Sequence, residues 1–343
     1  MRSDRSRARW AGLLLVAATA AVATGCARNN YTSPDRYERG LVVCLSGAGG
    51  MMGECRRIRQ GLDAGGVNRA IEIFEWSGGE VLTDQASVAE NHRKAAQLAR
   101  RIEAYLHEYS GRPVHLVGLS AGTGLLVWAM EDLAGDGKIT GAILLSSSLD
   151  SRYDLTRALE RVTDGVYSFS SVFDTILSLG VALAGTVDRG GGLAGGLFGF
   201  SVPDNASENT RTLYKERFTQ IAWRPGDMIL GHIGDHLGAT NPVFVRTRIA
   251  PLVLGRKPEV NPEVVKVGPS PAEGLRPSGG PPAEGAQADR TDAAAKPPTP
   301  DAAGAGNPAT PEDKKRFVDW NIGAGPGRSI EESQFLAEPG RLP

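Results

Sequence analysis

Short apolar runs alternate with helical periodicity through the middle of the chain. Leu41-Val42-Val43-Cys44-Leu45 is continuously apolar and bounded by Gly40 and Gly47, the pattern of a strand buried on both faces. Ala70 to Trp76 reads as a second, more amphipathic strand. Val88, His92, Ala95, Ala99, Ile102, Leu106 and Tyr109 then recur at spacings of four and three, one face of a helix that Gly111-Arg112-Pro113 ends. That periodicity places His92 in the core and His107 on the polar side. Val114–Leu119 predicts a third strand, Leu125–Leu133 a helix and Ile139–Ser146 a fourth strand. Val166–Phe169 and Phe218–Trp223 are weaker strand candidates. Between them, Ile176–Val187 predicts a helix, and 190–196 is too rich in glycine for regular structure. Phe244–Leu254 predicts a final helix interrupted by Pro251. Strands separated by helices, several times over, imply an α/β fold: a mostly parallel central sheet with helices on both faces.

Both ends break this pattern. Residues 1–25 carry Arg2, Arg5, Arg7 and Arg9, then an apolar run from Trp10 to Ala23 that is too short to span a membrane, as in an export signal. Ala23-Thr24-Gly25-Cys26 resembles a bacterial lipobox, although Ala23 stands where that motif usually has Leu. The resemblance implies a lipidated Cys26, export to the cell envelope, a membrane partner through the lipid anchor, and a linker over 26–39. At the other end, 15 of the 21 prolines fall at Pro258 or later, among Ala, Gly, Ser and Thr. Such a composition cannot bury enough apolar area to offset chain entropy, so 256–343 is expected to be a disordered tail. The folded domain is then 40–255.

Charge and cysteine content narrow the chemistry. Lys and Arg number 38 against 39 Asp and Glu, a formal net charge of −1, which argues against a nucleic-acid partner. Three cysteines make neither a disulfide framework nor a four-thiolate zinc site. Cys44 reads as buried in its strand, and Cys55 opens the helix after the following turn. Export permits a bond between them without requiring it.

Gly118-Leu119-Ser120-Ala121-Gly122 is a G-x-S-x-G string, a weak signal by itself in a chain with 44 glycines. Its setting strengthens it, because Ser120 lies where a strand stops and a helix begins. At such a sharp corner the backbone is strained, side chains at the glycine positions would clash, and the hydroxyl stands above the sheet. The plainer alternative is that Ser120 caps the helix. A second glycine-rich turn, Ser46-Gly47-Ala48-Gly49-Gly50-Met51, follows the first strand and lacks the spacing of a phosphate loop.

With these two motifs the chain resembles the α/β-hydrolase superfamily over about residues 40–255. The resemblance implies Ser120 as nucleophile and an oxyanion hole from the Ala121 N–H and the turn after the first strand, at its Gly50–Met51 end. It also implies the chain order Ser, acid, His. His236, in Gly234-Asp235-His236-Leu237-Gly238 before the final helix, is then the base. His115 lies within a strand before the nucleophile. His232 and His236 also have a spacing that permits a metal pair, but no third ligand accompanies them. Asp174, after Ser170-Ser171-Val172-Phe173, matches the acid position; Asp227 is the rival and Asp150 the third choice. The implied activity is a serine esterase or lipase-like hydrolase acting on small-molecule or lipid esters, with no metal or organic cofactor. Amide or thioester cleavage by the same triad, or a non-catalytic envelope lipoprotein on a hydrolase scaffold, are the alternatives. The apolar stretch 177–200 lies between acid and base, either as a cover favouring acyl chains or as a packing helix with a surface loop.

Overall fold

Six strands pair throughout in parallel: β1 (Leu41–Leu45), β2 (Ala70–Phe74), β3 (Val114–Leu119), β4 (Ile139–Leu145), β5 (Val162–Ser170) and β6 (Phe218–Ala222), in the order β2-β1-β3-β4-β5-β6. The structure is a computed structural model that describes residues 31–50 and 52–257. The expected signal segment, Cys26, Met51 and all but the first two residues of the expected tail lie outside that range. β1 and β3 are buried along their whole length, which is why they read as unbroken apolar runs. Parallel neighbours need crossovers, and helices supply them: α1 (Met52–Ala64), α2 (Val81–Ala86), α3 (Val88–Glu108), α4 (Ala121–Glu131), α5 (Thr156–Glu160), α6 (Thr175–Ala184) and α7 (Glu208–Arg217).

The helices cover both faces. On one side Cys55, Ile58 and Leu62 of α1 pack with Val42, Cys44, Val117 and Leu145 of the strands and with Phe244, Val245 and Ile249 of the segment after β6. α4 packs on β3, β4 and β1 and against α3, and Leu98, Ile102, Tyr105, Leu125 and Leu126 of these two helices are fully buried. The closing helical segment runs through Pro242–Phe244 and Ala250–Val253, joined by a π-helical turn at Val245–Ile249. Pro251, which lacks an N–H, follows directly on that wider turn, as expected where the regular ladder must be re-spaced. At the opposite pole the Tyr31 carbonyl accepts from Ile71 N at 2.8 Å, so the described chain enters beside the amino end of β2.

Three expectations change. His92 is exposed, not core; its ring stacks on Trp128 with centroids 4.1 Å apart. β5 runs from Val162, four residues before the expected strand, through a stretch that includes Asp164 and Gly165. α4 begins at Ala121, directly after the corner, instead of at Leu125.

Candidate active site

Every crossover leaves from the carboxyl ends of the strands, and the expected site residues gather along that edge. Ser120 alone separates β3 from α4, with φ 53° and ψ −125°. A left-handed conformation at a residue with a Cβ costs on the order of 1–3 kcal/mol and needs support from its surroundings. Ser120 N donates to Leu145 O at 2.9 Å, and Thr123 donates to Ser120 O through its N (3.0 Å) and Oγ1 (2.6 Å). The Ser120 side chain makes no capping bond to α4, so the hydroxyl is not spent on the helix. A Cβ on Gly118 would sit 2.4 Å from Leu126 Cδ2, and one on Gly122 would sit 2.3 Å from Ser46 O. Both glycines are therefore required by close approach.

The strand order, the strained serine corner between β3 and α4 and the two close-packed glycines settle the architecture. This is an α/β-hydrolase fold.

His236 and Asp174 meet across two loops. His236 Nδ1 lies 2.7 Å from Asp174 Oδ2, and the carboxylate is fully buried. The other oxygen, Oδ1, accepts from Leu177 N at 2.8 Å, so Asp174 is also the N-cap of α6. The rival acid is occupied elsewhere: Asp227 Oδ1 is 2.9 Å from Arg248, and its Oδ2 accepts from Arg224 N. Asp150 is likewise engaged, accepting from Gly192 N at 2.6 Å and Arg152 N at 2.8 Å. His232 is buried, which holds its pKa below the usual imidazole value, and its Nδ1 accepts from Gly234 N at 3.3 Å. His115 is pushed down to about 3 by burial and the neighbouring Arg69, so the ring is neutral and accepts from that guanidinium. Among the described residues no three His, Cys, Asp or Glu side chains gather as metal ligands. Cys44 and Cys55 are both free and buried, and burial raises both thiols, Cys44 to about 12.

His236 and Ser120 share a neighbour in the end of β4. Ser146 Oγ donates to His236 O at 3.4 Å, one residue past the Leu145 carbonyl that receives Ser120 N. No hydrogen bond joins the Ser120 hydroxyl to the His236 ring; such bonds commonly tighten only with substrate.

The turn after β1 lies against the same corner, since a Cβ on Gly47 would stand 3.2 Å from Ser120 Cβ and 3.7 Å from its Oγ. Most N–H groups of this turn are engaged: Gly47 donates to Glu54 Oε2 at 3.4 Å, Gly49 to Asp84 Oδ2 at 2.9 Å and Gly50 to Gly47 O at 3.3 Å. The Gly50 N–H, expected to face the substrate, therefore closes the turn instead. The N–H groups of Ala48 and Ala121 have no acceptor among the described residues.

Glu54 was not anticipated from sequence. It is buried in the first turn of α1; burial raises its pKa, and Gly47 N–H, His236 and Arg57 oppose that rise. Asp84 was missed as well. Its carboxylate ties Gly49 N to Gly78 N (3.0 Å) and to Ser77 Oγ, bracing the glycine turn from outside.

No family model and no curated protein matches this sequence. Solved structures resemble it at low identity. Lipase B of Aspergillus fumigatus is 12% identical with a TM-score of 0.40, over 71% of this chain and 58% of that one. Est1E from Butyrivibrio proteoclasticus is 12% identical with a TM-score of 0.38, over 66% and 91%. A cutinase-like protein from Cryptococcus sp. is 16% identical with a TM-score of 0.34, over 64% and 97%. The fold stands on this chain's own strand order and elbow.

Proposed function

We propose that this protein hydrolyses carboxylic esters through Ser120, His236 and Asp174. The observation that carries the reading is the buried Asp174–His236 contact of 2.7 Å on the same sheet edge as a strained serine whose hydroxyl has no structural task. Asp174 holds the imidazole with Nδ1–H toward it, leaving Nε2 as the base. His236 takes the Ser120 proton as the oxygen attacks the acyl carbonyl; the tetrahedral oxyanion is held by the N–H groups of Ala121 and Ala48. The ring returns the proton to the leaving alcohol. Water, deprotonated by the same ring, then attacks the acyl-enzyme and releases the acid and free Ser120.

A fluorophosphonate probe tests this directly. Covalent labelling of the wild type that disappears in Ser120→Ala supports the enzyme, whereas an unlabelled wild type favours a non-catalytic binding protein. Envelope anchoring through a lipidated Cys26 belongs to the same proposal, supported by the lipobox-like sequence. Mass spectrometry of the mature N-terminus reads it, and an unmodified Cys26 would exclude it.

A further inference from the structure

Charge is balanced over the described residues as a whole, with 24 Lys and Arg against 25 Asp and Glu, but it is not balanced locally. From Pro242 to Lys257 the chain carries Arg246, Arg248, Arg256 and Lys257 and no acidic residue. α1 adds Arg56, Arg57 and Arg59. These two helical segments lie side by side: a Cβ on Gly61 would stand 2.5 Å from Val245 Cβ, and one on Gly65 would stand 2.3 Å from Ala250 Cβ. Their outward positions therefore share one face. Arg56 and Arg246 are exposed on it, Arg57 and Arg59 are half-buried, and Arg256 and Lys257 are exposed at its end.

The carboxylates of this region are already engaged. Asp227 holds Arg248 at 2.9 Å, Asp63 holds Arg36, and Glu54 is buried and accepts from Gly47 N. The other six cations form no ion pair among the described residues. The Nε atoms of Arg57 and Arg59 are buried without a hydrogen-bond partner, so the domain leaves these charges uncompensated. α3 is different: its Arg93 pairs with Glu90 and its Arg101 with Glu72. No large apolar side chain of α1 or of 244–257 is exposed among the described residues. The face is thus cationic without an apolar centre.

We infer that this face docks on the headgroup phosphates of an anionic phospholipid bilayer. Cations spread along two helices meet a charged plane by electrostatic attraction alone, whereas a folded protein partner calls for an apolar centre. The chain's own segment 258–343 is a poor counter-charge, because it mixes 13 Asp and Glu with 9 Lys and Arg. Position points the same way. The guanidinium carbon of Arg59 lies 4.3 Å from the centroid of the Tyr31 ring, with that of Arg36 at 5.7 Å, so the stretch leading back to Cys26 joins the domain at this face. Such binding requires neither hydrolysis at Ser120 nor a lipid on Cys26.

Sedimentation with vesicles tests this on residues 26–343 carrying Cys26→Ser, which keep every described residue while removing the basic leader and any lipid. This parent chain is expected to sediment with vesicles of phosphatidylglycerol and phosphatidylcholine in equal parts, to ignore pure phosphatidylcholine, and to be released as added salt screens the charges. The triple variant Arg56→Gln, Arg246→Gln, Arg256→Gln should partition on the order of 100-fold less, roughly fivefold per charge. Arg246→Gln alone should lose about fivefold if the triple variant does not fold. Arg93→Gln, Lys94→Gln, Arg100→Gln on α3 removes the same charge elsewhere and should stay within about threefold of the parent. A parent chain left in the supernatant overturns the inference, as does equal sedimentation of the parent and the α1 and closing-segment triple. An equal loss in the α3 triple, equal binding to pure phosphatidylcholine, or tighter binding to duplex DNA than to the anionic vesicles overturns it as well.

Discussion

Two neighbouring strands end in a serine with positive φ, and their fates differ. After β3, Ser120 (φ 53°) is partly exposed, flanked by glycines that admit close packing, and spends no hydroxyl bond on its helix. After β4, Ser146 (φ 46°) is 4% exposed and donates to the His236 carbonyl. Strain of the same kind thus serves two ends. At Ser120 it presents a side chain, and at Ser146 it turns the chain while holding the loop that carries His236. A strained backbone marks a site only when the side chain it displays is free to react.

Substitution should separate the two corners. Ser120→Ala is expected to lower kcat on a soluble p-nitrophenyl ester by roughly 10⁴-fold or more with an unchanged circular dichroism melt. Asp174→Asn should follow, at on the order of 10³–10⁴-fold, because the tautomer of His236 is no longer held. Asp227→Asn should leave kcat within about threefold and lower the melting temperature instead, since its carboxylate serves Arg248 and the Arg224 turn. The reverse ranking of the two aspartates would sink the acid assignment. Ser146→Ala removes one long bond to a carbonyl and should slow turnover less than about tenfold; a loss equal to that of Ser120→Ala would erase the distinction drawn between the corners.

The smallest expected effect is on stability. Glu131, at the far end of α4, has its pKa raised from 4.5 to about 7 by burial, with the Tyr153 hydroxyl donating to it at 3.0 Å. The unfolded chain loses this proton near the ordinary carboxylate value, while the folded chain keeps it until about 7. The Glu131 contribution to stability is therefore complete below about 4.5, declines as pH rises and is lost above about 7. Because the side chain is partly exposed, the melting temperature should drop by only on the order of 2–4 °C across that window. Glu131→Gln should flatten the curve, and a wild-type curve already flat there would contradict the shift.

Much of the architecture is legible in the residues. β1, β3 and β4 are apolar runs of strand length, and G-x-S-x-G sits at the junction it requires. Only the second half of β5 shows in the sequence, because Asp164 and Gly165 interrupt its pattern, although Val162 is fully buried and pairs with Ile139. α4 starts earlier than its composition suggests because Gly122 and Gly124, poor helix formers, are selected for close approach to Ser46 and Val187. α7 is polar along most of its length and shows no strong stripe, though Ser207 caps it. The pairing of His236 with Asp174 follows from loop order, but the choice of oxyanion donor does not, because it depends on which N–H groups the turn consumes internally. Glu54 and Asp84 escaped notice for the same reason: a carboxylate bonded to a backbone amide leaves no periodic trace in sequence.

The chain enters the domain beside the amino end of β2, whereas Ser120, Asp174 and His236 lie at the other end of the strands. Five peptide units separate residue 26 from Tyr31, a leash of at most about 18 Å. Were Cys26 lipidated as proposed, so short a leash would keep the base of the domain near the bilayer and the Ser120 edge of the sheet away from it.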